Sequence, residues 1–249
     1  MDRTDSVWAR GLQTAVRLVY PPRCLACGGP VDRDFGLCPV CWRETPFIGG
    51  LVCDACGAPL PGDDPGEPVH CDGCLAHPRP WAQGRAALLY RDAGRRLVLG
   101  LKHADRGDIA VPAADWMARA AAPMALDGAL VVPVPLHWRR LVARRFNQSA
   151  LLAAPLARAL GLVHAPDLLE RVRPTAALGG QDRAARAATL DGALRVAPRR
   201  VVRVTGRPVL LVDDVMTTGA TLESAARALA AAGAGETRVV VLARAVRDA

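Results

Sequence analysis

The chain has few aromatic residues. They make up 4% of it, although 51% is hydrophobic. Ala, Val and Leu carry the apolar content, which suits an α/β protein better than a β-sandwich. No run of 18 apolar residues exists, so no membrane insertion is expected. Residues Met1 to Tyr20 lack an uninterrupted apolar stretch, because Asp2, Arg3, Asp5, Arg10 and Arg17 break it, so no secretory signal is expected and the protein reads as cytoplasmic. In the same segment Val7, Trp8, Leu12, Ala15, Val16 and Val19 recur at helical spacing, which predicts a short amphipathic helix over residues 1–20. Lysine is nearly absent: Lys102 stands alone, and arginine supplies almost all of the positive charge behind the net +8. A basic balance favours polyanionic partners such as nucleic acid, a membrane surface or phosphorylated small molecules, or else a plain solvated surface. No Ser/His/Asp arrangement suggests hydrolysis, and His103, His137 and His164 are isolated in sequence.

Cysteine is absent after Cys74, and all eight cysteines lie before it as four C-x-x-C pairs: Cys24/Cys27, Cys38/Cys41, Cys53/Cys56 and Cys71/Cys74. The segment repeats itself. C-L-A-C-G-G-P-V at Cys24 to Val31 matches C-D-A-C-G-A-P-L at Cys53 to Leu60. Two cysteines two residues apart present both sulfurs to one ion across a tight turn, and Gly28 or Gly57 permits the positive φ such a turn requires. Two pairs make a closed tetrahedral site with four thiolates, which is structural and not catalytic. The chain therefore implies two structural zinc ions in a double zinc ribbon over residues 21–80. Disulfides or a thioredoxin-like redox pair are the competing readings, and four regular pairs argue against a single redox motif. Sequential pairing needs connections of only 10 and 14 residues, and cross-bracing is the alternative. His70 and His77 flank the last pair as ordinary surface residues. A ribbon this small has little core, so metal supplies its folding energy. It is expected to serve as a platform for a partner or nucleic acid.

From residue 82 to 249 the pattern alternates strand and helix. Ala86 to Tyr90, Ala129 to Val134, Leu168 to Val172, Ala193 to Val196, Val209 to Val212 and Thr237 to Ala243 read as strands. Gly94 to His103, Ile109 to Ala122, Gln148 to Leu160 (ended by Gly161) and Ala220 to Ala232 (ended by Gly233) read as helices. Such alternation predicts a parallel sheet flanked by helices, with ligands outside the carboxyl ends of the strands.

The deciding stretch is V-L-L-V-D-D-V-M-T-T-G-A-T-L, Val209 to Leu222. Four apolar residues form a buried strand. Asp213 and Asp214 sit at its carboxyl end, and Val215 and Met216 lead into Thr217-Thr218-Gly219-Ala220-Thr221, which opens a helix. A helix N-terminus offers N–H donors and positive dipole character to a phosphate. Gly219 allows close backbone approach, and the threonines add hydroxyls without bulk. Paired carboxylates accept hydrogen bonds from two vicinal sugar hydroxyls. The spacing therefore describes a ribose 5-phosphate ligand, against the alternative of a plain strand-turn-helix.

This segment resembles, over all its positions, the signature of type I phosphoribosyltransferases that binds 5-phosphoribosyl-1-pyrophosphate (PRPP). Val132 to Gln148, V-P-V-P-L-H-W-R-R-L-V-A-R-R-F-N-Q, resembles the ComF family pattern of a Pro-Leu loop, arginines and R-G-F-N-Q, with Arg145 in place of the glycine. Thr175 to Leu194 resembles the family stretch T-x-x-Q-x-x-L-x-R-x-x-R-x-x-N-(apolar)-x-G-A-F. There Thr175, Arg183, Arg186, Gly192 and Ala193 match, while Leu178, Gln181 and Thr189 depart. Leu99 to His103, with G-L-K-H after Leu99, resembles the family's L-K-aromatic element, and the double zinc ribbon is similar to that of ComF-like proteins.

The resemblance implies a type I phosphoribosyltransferase-like sheet over 82–249. It implies that Asp213 and Asp214 hold the ribose hydroxyls and that Thr217 to Thr221 hold the 5-phosphate. The loop from Pro135 to Arg140 would face the pyrophosphate, with Arg139, Arg140 and Arg144 as contacts and Lys102 reaching a phosphate from the opposite side. Residues 175 to 186 would close over the ligand, and magnesium would bridge pyrophosphate and ribose oxygens. Two readings stay open: a transferase of phosphoribosyl to an unnamed acceptor, and a non-catalytic PRPP-fold protein that works with single-stranded DNA and competence proteins in DNA uptake. Trp42, Trp81, Trp138 and Phe146 are expected mainly in packing. A zinc-ribbon transcription factor leaves the paired aspartates unexplained. The oligomeric state is not legible.

Overall fold

The computed structural model describes residues 21–103, 106–124, 126–137, 142, 145–173 and 192–246. The helix expected over 1–20, Trp138, Arg139, Arg140, Arg144 and the segment 175–186 lie outside the described residues.

In chain order the elements are α1 (Pro39–Glu44), α2 (Asp72–Ala76), β1 (Gln83–Leu89), α3 (Asp92–Gly100), α4 (Ala110–Ala121), β2 (Leu130–Pro133), α5 (Gln148–Leu160), β3 (Val163–His164), β4 (Leu169–Arg171), β5 (Leu194–Val196), α6 (Val201–Val204), β6 (Val209–Met216), α7 (Ala220–Ala231) and β7 (Thr237–Arg244). Five of the strands form one parallel sheet in the order β1-β7-β6-β2-β3.

The sheet is buried on both faces, which is why its strands read as continuous apolar runs. On one face Val209, Leu211, Leu130, Val132, Val239 and Val241 pack with Leu222, Ala225, Ala226 and Leu229 of α7. On the other, Leu210, Val212, Val131, Val240 and Leu242 meet Leu97 and Val98 of α3, Met117 of α4 and Leu152 and Leu156 of α5. Consecutive residues on β6 thus serve opposite cores. Helix α5 begins where the Asn147 side chain accepts a hydrogen bond from Ser149 N (3.1 Å), and it ends at Gly161 with φ 67°.

The two short strands expected near 168–172 and 193–196 form, but they do not join the main sheet. β4 and β5 pair antiparallel with each other, Leu169 opposite Val196 and Arg171 opposite Leu194. The segment 83–89 is an edge strand of the main sheet, and the ribbon linker covers it. Ile48 N donates to Ala87 O (3.0 Å), and Leu89 N donates to Pro46 O (2.9 Å).

The sequence repeat is also a structural repeat. Gly28 N donates to Cys24 O (2.9 Å) and Gly57 N to Cys53 O (2.8 Å), while Cys24 N donates to Gly29 O and Cys53 N to Ala58 O, both at 2.7 Å. Among the described residues no helix is long and apolar enough to cross a membrane.

Candidate functional site

The cysteines gather as sequential pairs. The sulfurs of Cys24, Cys27, Cys38 and Cys41 all lie within 4.8 Å of one another, and so do those of Cys53, Cys56, Cys71 and Cys74. A tetrahedron with Zn–S bonds of about 2.3 Å has edges of about 3.8 Å. The Cys27–Cys38 and Cys56–Cys71 separations are 3.9 and 3.8 Å, far beyond a disulfide. Backbone amides point at the sulfurs: Cys38 N donates to Cys24 Sγ (3.3 Å) and Gly29 N to Cys27 Sγ (3.4 Å). Each tetrad is thus a closed all-thiolate donor set for structural zinc. His70 and His77 are exposed and belong to neither tetrad.

The second site lies at the carboxyl end of β6. This strand runs beyond its apolar quartet, because pairing with β7 continues through Asp213 opposite Val241 and Met216 opposite Arg244. The two acids are therefore fixed by the sheet itself. Asp213 Oδ1 accepts from Ser149 Oγ (2.8 Å), in the first turn of α5, and from Asp214 N (2.9 Å). Burial, and then the neighbouring Asp214 carboxylate, push the Asp213 carboxyl up to about 7, against the pull of the Ser149 hydroxyl. Asp214 Oδ2 lies 3.6 Å from Lys102 Nζ, so the single lysine meets the paired acids, 111 to 112 residues away in sequence.

Beyond the acids, the half-buried Val215 and the buried Met216 complete the strand, and Thr217 is exposed. Thr218 Oγ1 accepts from Ala220 N (3.4 Å), and Gly219 adopts φ 88° before α7 starts at Ala220. Thr221 is half-buried in the first turn. Glu223 N closes the helix onto Gly219 O at 2.9 Å. The loop carbonyls are held by two buried arginines. Arg244 Nη1 donates to Thr217 O (2.7 Å) and Met216 O (3.1 Å), and Arg79 Nη1 donates to Thr218 O (2.8 Å). Sequence reasoning missed Ser149, Arg79 and Arg244. Ser149 sits directly after the N-Q pair of a motif already in view, which is a usable signal. The two arginines have none.

Two family descriptions match the chain: a double zinc ribbon domain over residues 15–75, and a phosphoribosyl transferase domain over 147–248. The DNA utilization protein YhgH of Salmonella typhi is 35% identical over 234 residues, covering 91% of this chain and 99% of that protein. Its Escherichia coli K12 counterpart is 32% identical with the same coverage. Competence protein F of Haemophilus influenzae is 29% identical, over 90% of this chain and 97% of that protein. The chain belongs to the ComF family. Among solved structures, a glutamine PRPP amidotransferase from B. subtilis, complexed with ADP and GMP, superposes on 58% of this chain and 30% of that one, with TM-score 0.39 and 21% identity. The fold assignment rests on the family match and the observed parallel sheet.

The ComF pattern gives one departure a physical meaning. Arg145, which stands where the family pattern has glycine, has φ 66°. A non-glycine residue there costs about 1 kcal/mol of backbone strain, so the glycine of the pattern serves a left-handed turn that this chain keeps without it.

Proposed function

We propose that this protein binds PRPP with magnesium at Asp213 to Thr221 and transfers its phosphoribosyl group to an acceptor nitrogen. The observation that carries this reading is the junction of β6 and α7: two strand-held carboxyls beside a glycine loop that opens a helix N-terminus. In this reading Asp213 and Asp214 accept hydrogen bonds from the ribose hydroxyls. Thr217, Thr218, Gly219, Ala220 and Thr221 surround the 5-phosphate. Lys102 exchanges its contact with Asp214 for a ligand phosphate, while Arg139, Arg140 and Arg144 meet the pyrophosphate. The segment 175–186 closes over the ligand and excludes water. Two adjacent carboxyls are hard oxygen donors suited to magnesium, which when bound neutralises pyrophosphate oxygens. No nucleophilic side chain is required: the chain's own residues position the ribose and stabilise the departing charge. Residues 21–80 would act as a ribbon unit and 82–249 as the transferase unit, in the cytoplasm.

Titration of PRPP and magnesium by calorimetry tests the reading. Wild type should bind, and the Asp213→Asn, Asp214→Asn double variant should bind about a hundredfold more weakly, from two lost charge-assisted hydrogen bonds. Absence of PRPP binding by wild type rejects the proposal. Pyrophosphate release with candidate amines tests transfer.

The raised Asp213 value adds a signed test. Only the carboxylate can accept from both its neighbours and a sugar hydroxyl, so affinity should rise with pH up to about 7 and level off above it. A carboxyl raised on folding contributes stability that is complete at low pH and is lost as pH climbs through about 7. Asp213→Asn should therefore melt higher than wild type at pH 8, with the two converging near pH 4. An unchanged difference across that range would refute the assignment.

A second reading is favoured by the names of the relatives, which refer to DNA utilization and competence. Here the pocket senses PRPP while the ribbons and arginines hold single-stranded DNA or competence proteins during DNA uptake. Trp42, half exposed and 4.9 Å from Phe47, offers a stacking surface on the first ribbon. PRPP binding without turnover on any acceptor, together with a salt-sensitive gel shift of single-stranded DNA, would favour it. No shift at low salt would count against it.

A further inference from the structure

Two buried arginines bridge the second cysteine tetrad to the phosphate loop. Arg79 Nε donates to Cys74 Sγ (3.4 Å) while its Nη1 donates to Thr218 O and pairs with Glu223 Oε1 in the first turn of α7. Its side chain is 3% exposed and lies over Trp81, with 5.5 Å from guanidinium carbon to ring centre. Arg244, at the end of β7, places Nη2 at 3.9 Å from Cys56 Sγ and Nη1 on Met216 O and Thr217 O. Each guanidinium therefore has one edge on a metal-site sulfur and the other on loop carbonyls, and the three carbonyls belong to consecutive residues.

This arrangement has a consequence for the ligand side of the loop. Among the described residues the peptide bonds are all trans. In a planar trans peptide the carbonyl and the following N–H point in opposite directions. Met216 O and Thr217 O are held by Arg244, with Ala245 N also donating to Met216 O (3.0 Å), and Thr218 O is held by Arg79, so the N–H groups of Thr217, Thr218 and Gly219 are turned away from these two guanidinium groups. Gly219 also makes room for the clamp: a Cβ there would lie 2.8 Å from Arg79 Nη1. The electrostatics agree. Four thiolates around one Zn2+ carry a net charge of about −2, which compensates buried guanidinium charge that would otherwise be costly.

We infer that Arg79 and Arg244 are positioning residues through which the second metal tetrad sets the peptide orientation of the phosphate loop. The inference rests on reading that loop as the phosphate subsite of PRPP. The second tetrad then belongs to the ligand site, and its loading governs affinity at a distance. The first tetrad has no such path: among the described residues its arginine contact is Arg96 to Cys41 Sγ at 4.0 Å, and Arg96 pairs onward with Glu44.

The experiment compares Arg79→Met and Arg244→Met with Arg85→Met, which also joins the second ribbon to the sheet (Arg85 Nη2 to Asp54 Oδ1, 2.6 Å) but does not reach the loop. PRPP–magnesium affinity, zinc per chain and melting temperature are measured on each full-length variant. The expected result is PRPP binding weakened about tenfold or more in the first two at two zinc ions per chain, with Arg85→Met within about twofold of wild type. Cys74→His adds a variant that keeps a Cys3His metal set while removing the sulfur that Arg79 holds, and Cys41→His is its first-ribbon counterpart. Cys74→His should lose affinity with zinc retained, and Cys41→His should not. Wild-type affinity in Arg79→Met, Arg244→Met and Cys74→His overturns the inference. A wild type that does not bind PRPP at all defeats the functional reading instead.

Discussion

The segments Cys24 to Val31 and Cys53 to Leu60 fold into the same turn, with Gly28 at φ 74° and Gly57 at φ 68°, yet they stand in different surroundings. The first ribbon touches the helix-covered face of the sheet that includes α3 and α4, through Leu25, and its Cys27 is exposed. The second is part of the opposite core: Cys53 and Cys56 are fully buried beside Trp81, Met216 and Leu222. The lesson is that an internal repeat fixes local geometry and metal chemistry but not rank in the fold. The sharpest way to break the comparison is to remove one ligand from each tetrad. Structural zinc contributes on the order of 10–16 kcal/mol in isolated ribbons, which exceeds the stability of most domains. Cys56→Ser should abolish the cooperative thermal transition of the whole chain. Cys27→Ser should lose one zinc and preserve that transition. Circular dichroism melting with zinc determination reads both, and equal damage from the two substitutions would show that the ribbons are equivalent after all.

The repeated glycines sharpen the comparison further. Both need positive φ, so alanine costs about 1–2 kcal/mol at either position. At Gly28 nothing else lies within 4 Å of an added Cβ. At Gly57 the Cβ would meet Ala86 N at 2.7 Å and Arg85 Cα at 2.9 Å, the backbone of β1. Gly84 answers from the strand side, where a Cβ would lie 2.4 Å from Ala55 O. Gly57→Ala should therefore cost about 3 kcal/mol or more, as overpacking adds to strain, while Gly28→Ala stays near 1–2 kcal/mol. Chemical denaturation midpoints measure the difference, and matching values would mean that ribbon and strand separate without cost.

Much of this organisation was legible in the chain because the signals are local. The spacing of Cys24 through Cys74 announces two metal sites, and short connections favour the sequential pairing seen. Strands β2, β6 and β7 are apolar runs because both faces of the sheet are covered. Asn147 and Gly161 bracket α5 at the expected boundaries. What the sequence did not reveal depends on distant pairing. Nothing in Leu169–Arg171 or Leu194–Val196 says that they pair with each other outside the main sheet, and two-residue β3 is too short to show a period. Helix α3 starts and stops earlier than Gly94 to His103 suggested, ending at Gly100. Ser149 meets Asp213 across 64 residues, Arg79 meets Thr218 across 139, and Arg244 meets Cys56 across 188. In a chain whose positive charge is nearly all arginine, no single arginine stands out before the fold brings it to its partners.

The smallest expected effect comes from the exposed ion pair of the first ribbon, set against the shielded pair of the second. Arg85 and Asp54 join the second ribbon to β1 with side chains only 13% and 14% exposed, and Arg85 also donates to Asp54 O and Gly84 O at 3.0 Å. Arg96 and Glu44 join the first ribbon to α3 at 2.7 Å, but with 44% and 48% exposure. Water and salt screen an exposed pair, whereas removing one member of a shielded pair leaves its partner's charge and carbonyls without donors. Arg85→Met should lower stability by about 2 kcal/mol, with little dependence on ionic strength. Arg96→Met should change it by about 0.5 kcal/mol or less, and that small change should vanish at about 1 M salt. Paired denaturant titrations at low and high salt measure both. If Arg96→Met proves as costly as Arg85→Met, the first ribbon is anchored to the sheet as firmly as the second, and the contrast between them narrows to the loop between β6 and α7 alone.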